Sequence, residues 1–297
     1  MGYTLRNGIL EADIRGPDTG TGSRFDRTGW ITQVRLTSGP EIHEFCMPES
    51  MEAGRGTGGT GLCGEFGISS PAGYDEAAAG GQFSKIGVGL LTKRENEDYH
   101  FSGQYPVLPY SVLTEVKEGS IRFVVMPAEC GGYAFRLEKR VALRKASIEI
   151  DYVLENLGSR PLKTDEYVHN FLAIDRHPIG PDYRLRFPVP VDFDEVESDY
   201  TSGLLAAEGR EIGWRSMPDR EFYARLPGWA DSVPYYWELT HMPSGAGVRE
   251  SGDFAADRCA LWGKSHVVSP EIFISLELSP GSSRGWRRTY EFFHYSE

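Results

Sequence analysis

One histidine of this chain sits where proton-transfer chemistry could be done: His169, in Tyr167-Val168-His169-Asn170-Phe171, between aromatic residues and beside Asn170. Histidine has an ordinary pKa near neutrality, so at pH 7 it can act as an acid or as a base. A carboxylate partner is offered by Glu271 in Ser269-Pro270-Glu271 and again by Glu277. Both would project to one face of a regular strand, and only the proline context selects Glu271. The plainer alternative for His169 is a strand residue satisfied by a backbone carbonyl. Glu65 and Lys85 carry groups that anchor substrate hydroxyls in pockets with aromatic walls, and each can equally be a surface charge. In Arg24-Phe25-Asp26-Arg27 the charges read first as an internal ion pair holding a turn, with Arg24 also able to hold a substrate oxygen. His177 precedes a proline in the loop after His169, over the expected mouth of the site.

Strands must position these groups. In FRLEKRVALR the residues Phe135, Leu137, Lys139, Val141 and Leu143 share one face, and charged side chains occupy most of the other. Ile148, Ile150, Tyr152 and Leu154 alternate next, closing on Asn156-Leu157-Gly158 before Pro161 opens the approach to His169. Near the N-terminus Trp30, Thr32, Val34 and Leu36 alternate, followed by a Ser38-Gly39-Pro40 turn. No long helix with a continuous 3.6-residue period and both caps is visible. The 35 glycines and 18 prolines are spread along the 297 residues, as a many-stranded sandwich requires. The run GRGTGGTGLCGEFGI lacks the Lys-Ser or Lys-Thr and the strand-to-helix frame of a phosphate loop, so it reads as a mobile loop near a ligand, or as disorder. Residues 192 to 232, with Trp214 and Trp229, give no firm assignment. Tyr235, Tyr236 and Trp237 alternate, so at least one faces away from the core.

Strand, strand, the turn NLGSRP and an aromatic-flanked His-Asn pair together resemble the central block of the galactose mutarotase-like (aldose 1-epimerase) superfamily. The tail SPEIFISLELSPGSSRGWRRTYEF resembles that superfamily's closing segment, in which a glutamate precedes a Leu-x-Pro-Gly turn; here these would be Glu271, Leu278, Pro280 and Gly281. GSRFDRTGWITQVRL is similar to the first hairpin of some members. The resemblance implies an all-β fold, a large antiparallel β-sandwich formed by residues 1–297 as a single domain, and an aldose 1-epimerase-like isomerase that interconverts the anomers of a free sugar or sugar derivative. It implies His169 as the acid toward the ring oxygen and Glu271 as the base at the C1 hydroxyl, standing on opposite sides of the sugar. Asn170, Glu65, Lys85, Arg24 and His177 are the expected substrate-binding residues. The second histidine of better-known mutarotases, in a Leu-His-Gly-Gly-like context, has no match: His43 and His100 are the only earlier histidines. The rival functions are a lyase acting by proton abstraction and β-elimination, and a non-catalytic sugar-binding protein or subunit.

Composition narrows the partners. The formal net charge is −12 and no basic run is present, which argues against nucleic acid. No signal-like N-terminus or membrane-length apolar stretch appears, so the expected location is cytoplasmic and the expected partner a small carbohydrate. Cys46, Cys63, Cys130 and Cys259 form no C-x-x-C pair and are expected to be reduced, mostly buried thiols. No metal site or cofactor is expected from the spacing. The Asp192-Asp194-Glu195 run leaves calcium open.

Overall fold

The computed structural model describes residues 2–20, 22–39, 41–193, 195–227 and 234–295, so Pro40, Asp194 and Trp229 lie outside the described residues. The alternation read in the sequence sets how the strands bury their faces. In Phe135–Arg144 the residues Phe135, Leu137, Lys139 and Val141 are buried, and the intervening charged residues are half-exposed. Ser147–Asn156 pairs with this strand along its whole length, and Ser283–His294 flanks Ser147–Asn156 on the other side. Lys139 is satisfied inside the apolar row: its Nζ donates to Asp26 Oδ2 at 2.5 Å and to the Thr28 carbonyl at 3.0 Å. Asp26 therefore pairs across the core with Lys139, not within Arg24-Phe25-Asp26-Arg27 as the sequence suggests.

Among the described residues the strands form two ten-stranded antiparallel sheets and a smaller three-stranded one. The front sheet runs Tyr3–Arg6, Leu10–Ile14, Ile31–Leu36, Gly61–Phe66, Leu162–Phe171, Val267–Leu278, Arg258–Lys264, Phe222–Leu226, Glu195–Val196, with His43–Glu44 beside Ile31–Leu36. A continuous apolar core drawn from both large sheets lies between them, which makes the fold an all-β antiparallel sandwich. Val267–Leu278 leaves the front sheet through a turn in which Gly281 takes a φ of +77°, and the chain continues as Ser283–His294 in the back sheet.

Two expectations change. The glycine-rich run is not all loop: Gly61–Phe66 is a fully buried strand in the middle of the front sheet. Gly61 is required by close packing, since a Cβ there would lie 2.2 Å from the Ile31 carbonyl oxygen. The first hairpin is Tyr3–Arg6 with Leu10–Ile14, and residues 23–30 form no strand. The stretch 192–232 includes one short helix, Asp199–Leu204, whose N-cap Ser198 accepts from the Thr201 amide.

Candidate active site

The site lies where two central strands of the front sheet part. Leu162–Phe171 and Val267–Leu278 are paired from Leu162↔Leu278 to Glu166↔Ile274, and the same register returns at Leu172↔Val268. Between these points the ladder is interrupted. Pro270 has no amide hydrogen to give, and the Asn170 amide donates to Ser269 Oγ at 2.8 Å. In this register His169 stands opposite Glu271, and the two side chains meet on the outer face, His169 Nε2 to Glu271 Oε1 at 3.2 Å. Ser269 Oγ donates to the same carboxylate oxygen at 3.1 Å. The imidazole stacks on Phe171, with centroids 4.0 Å apart and planes at 8°, and lies edge-on to Trp262 at 5.0 Å.

The pair forms part of the lining of a cavity of about 470 Å³ shared with Arg24, Tyr167, Phe101, Tyr223 and Trp262, the size of a small-ligand pocket. Arg24 is held by a buried cluster: Nε donates to Glu65 Oε2 at 2.9 Å, Nη1 to Thr57 Oγ1 at 2.9 Å and Nη2 to Tyr167 Oη at 2.9 Å. Tyr167 donates to Glu65 Oε2 at 2.6 Å, and Lys85 Nζ to Glu65 Oε1 at 2.9 Å. The guanidinium is sandwiched between Phe25 and Phe101, 4.5 and 4.4 Å from their centroids. Glu49, Glu197 and Glu221 also line the cavity, and Glu221 accepts from the Trp262 indole at 2.9 Å.

Burial governs the electrostatics of the pair. It pushes the Glu271 carboxyl up to about 8, against the opposing pull of Arg24 and the Ser269 hydroxyl. It also drives His169 well below its ordinary value, and the positive charges of Arg24 and Lys264 act in the same direction. Both shifts favour the uncharged form of the pair, a carboxylic acid against a neutral imidazole. This resting state reverses the ionisation expected from the resemblance. The two groups also touch each other on the cavity floor and do not stand on opposite sides of a bound ring. The two arrangements differ by one proton moved across the contact.

The other candidates divide. Arg24 reaches the cavity. Glu65 and Lys85 are fully buried beneath it and serve to hold Arg24. Glu277 is exposed and pairs with Lys163 at 2.9 Å. Asn170 projects into the intersheet core, because successive strand residues face opposite sides: its Nδ2 donates to the Pro270 carbonyl at 2.7 Å, and its Oδ1 accepts from Tyr290 Oη at 3.1 Å. His177 stacks on His241 at 4.2 Å and is absent from the cavity wall, because the chain turns after Phe171 through left-handed Asp175 and Arg176. Tyr167 and Trp262 were missed; strand alternation places Tyr167 on the face of His169, a signal available in the sequence. Tyr235 and Trp237 are buried and Tyr236 half-exposed. Among the described residues no cluster of three or more His, Cys, Asp or Glu is arranged to hold a metal ion, and all four cysteines are free.

The chain is a two-sheet antiparallel β protein with a buried histidine–carboxyl pair and a pocket on one outer face. Within that class the chain has the galactose mutarotase-like fold. The galactose mutarotase related enzyme from Lactobacillus acidophilus superposes with a TM-score of 0.63 at 13% identity, covering 99% of this chain and 97% of that one. A galactose mutarotase-like protein from Lactobacillus casei gives 0.63 at 12%, covering 99% and 100%. An aldose epimerase homologue from C. elegans gives 0.59 at 12%, covering 100% of both. No protein-family model and no curated protein matches the chain.

Proposed function

We propose that this protein is an aldose 1-epimerase-like isomerase acting on an uncharged sugar, with His169 and Glu271 as its acid–base pair. The observation that carries this reading is the 3.2 Å contact between the two groups on the floor of a cavity large enough for a monosaccharide. Opening an aldose ring requires a proton on the ring oxygen and loss of the proton from the C1 hydroxyl. Both oxygens sit on one carbon, so an acid and a base in contact can reach the two together. Glu271, which holds the proton at rest, donates to the ring oxygen while the His169 imidazole takes the hydroxyl proton. The C1–O ring bond breaks, the carbonyl forms, C1–C2 rotates, and the reverse transfers close the other face. No redox change is involved.

The lining charges favour a neutral substrate. Arg24 is the one arginine or lysine among the described residues lining the cavity, and it already serves Glu65, while Glu49, Glu197 and Glu221 add negative charge. Tyr223 and Trp262 offer apolar walls to sugar C–H faces. The test is anomeric exchange followed by NMR saturation transfer over a panel of neutral aldoses, uronic acids and 3-keto sugars, with wild type beside His169→Ala. Exchange on a neutral aldose that the variant loses supports the reading. Absence of acceleration on every sugar overturns it, and an unsaturated product would move the assignment to a lyase.

A further inference from the structure

Behind the pair, in the dry space between the sheets, lies a buried polar network that the reaction above does not use. Arg288, fully buried on Ser283–His294, donates to Glu166 Oε2 at 2.7 Å and to Glu250 Oε1. Glu250 also accepts from the Trp237 indole at 2.8 Å and from Tyr235 Oη at 3.2 Å. Buried charges satisfied in this way are expensive to remove singly, yet an apolar core would fold the sandwich as well, so the network calls for a reason. Two of its bonds supply one. Arg288 Nη2 donates to the Ile272 carbonyl at 2.9 Å, and Asn170 Nδ2 donates to the Pro270 carbonyl at 2.7 Å. These two carbonyls flank Glu271 and lie in the segment where the ladder to Leu162–Phe171 is interrupted.

The segment keeps its ladder to Arg258–Lys264, through Ala260↔Glu271 and Leu261↔Pro270, so only its edge toward Leu162–Phe171 lacks backbone bonds, and a local shift of that edge would move Glu271 off His169. We infer that Asn170 and Arg288 are positioning residues: they replace the missing ladder bonds at Pro270 and Ile272 and so fix the Glu271 side chain against His169. Tyr290, donating to Asn170 Oδ1, sets the orientation of the Asn170 amide. The Asn170 backbone amide completes the arrangement from the other side through Ser269 Oγ to Glu271 Oε1. The charged groups acting on Glu271 from neighbouring elements are Arg24, Glu65 and Arg258, with His169 in contact, and none of them belongs to this network.

The inference rests on the acid–base reading of His169 and Glu271, and its test separates the two. In the full chain, Asn170→Ala, Tyr290→Phe and the core control Leu154→Ala are compared by anomer-exchange kinetics, by ¹³C NMR titration of the Glu271 carboxyl and by thermal unfolding. Asn170→Ala is expected to lower kcat roughly 10- to 100-fold with KM changed less than about threefold, since misplacement of a reacting group costs rate more than binding. Its Glu271 titration moves from about 8 toward the ordinary carboxyl range. Tyr290→Phe, which keeps the ring, moves both in the same direction by less. Leu154→Ala loses thermal stability and moves neither. The inference is overturned if both Asn170 and Tyr290 variants keep wild-type kcat and titration, or if Leu154→Ala shifts them equally. If the wild type turns over no sugar, the acid–base reading fails and the carboxyl titration alone decides the positioning role. If Asn170→Ala does not fold, Tyr290→Phe decides it.

Discussion

Replacing Glu271 by glutamine tests the buried carboxyl directly, because the amide keeps the shape and removes the titration. Glu271 ionises at about 8 in the folded chain against 4.5 as a free side chain, so between those values the folded state holds a proton that the unfolded state has released. Stability must therefore fall as pH rises through that window. The slope is about 1.4 kcal/mol per pH unit, and the difference between the two values corresponds to roughly 5 kcal/mol in total, an order-of-magnitude figure for a buried group. Glu271→Gln has no such slope. Burial and the cations Arg24 and Lys264 set the shift of His169, so its contribution largely cancels in the comparison. The assay is urea unfolding of both proteins at pH 5.5, 6.5, 7.5 and 8.5. The variant should gain on the wild type by more than 2 kcal/mol across this range, while losing anomer exchange by about 10²–10⁴-fold. A stability difference independent of pH would mean that the carboxyl titrates as a solvated group, and the account of the pair would fail.

Two further outcomes follow from the same electrostatics. The pH dependence of kcat/KM should be a broad bell whose alkaline limb lies near 8 and whose acid limb lies below the ordinary histidine range, measured by exchange rates from pH 4.5 to 9.5; a maximum confined above pH 8.5 would contradict it. Glu65→Gln removes a negative charge that raises Glu271 and leaves the cation that lowers it, so the alkaline limb should move to lower pH; a limb that stays in place would show that Glu65 exerts no field at the pair.

Phe135–Arg144 and Ser147–Asn156 were legible because each buries mainly one face: the period-two pattern of Phe135–Arg144 survives even the lysine at its centre. Gly61–Phe66 was not, since a strand buried on both faces and rich in glycine has neither alternation nor β-branched residues to show. The motifs around His169 and Glu271 single out both residues in the sequence, and the register places the two opposite each other. The direction of Asn170 was available from alternation alone, since adjacent strand residues cannot share a face. The support for Arg24 was out of reach. Its partners Glu65 and Tyr167 lie 41 and 143 positions away, and only the order of strands in the sheet brings them together. His177 is near His169 in sequence but not in the cavity wall, because the left-handed turn at Asp175 and Arg176 redirects the chain.

The cation beside the pair bears on how this pocket manages charge. An arginine beside an acid–base pair is hazardous: its field disfavours the imidazolium and pulls a proton from the carboxyl, and both effects act here on His169 and Glu271. Left alone, Arg24 would favour a carboxylate with a neutral imidazole, a pair that has no proton to donate. Glu65 counters it. Burial opposes ionisation of Glu65, yet the adjacent Lys85 and Arg24 outweigh that cost and hold its carboxyl below the usual range, so its negative charge persists beneath the guanidinium. Lys85, with no exposure and no place in the cavity wall, is explained by this need, because it helps keep Glu65 ionised where burial would neutralise it. Under the proposed function, Arg24 can then present its remaining N–H groups to a sugar oxygen without draining the proton that the pair needs. On this argument the polar residues that resemble substrate anchors in the sequence fall into two tiers, Arg24, which lines the cavity, and Glu65 with Lys85, which set the field around it.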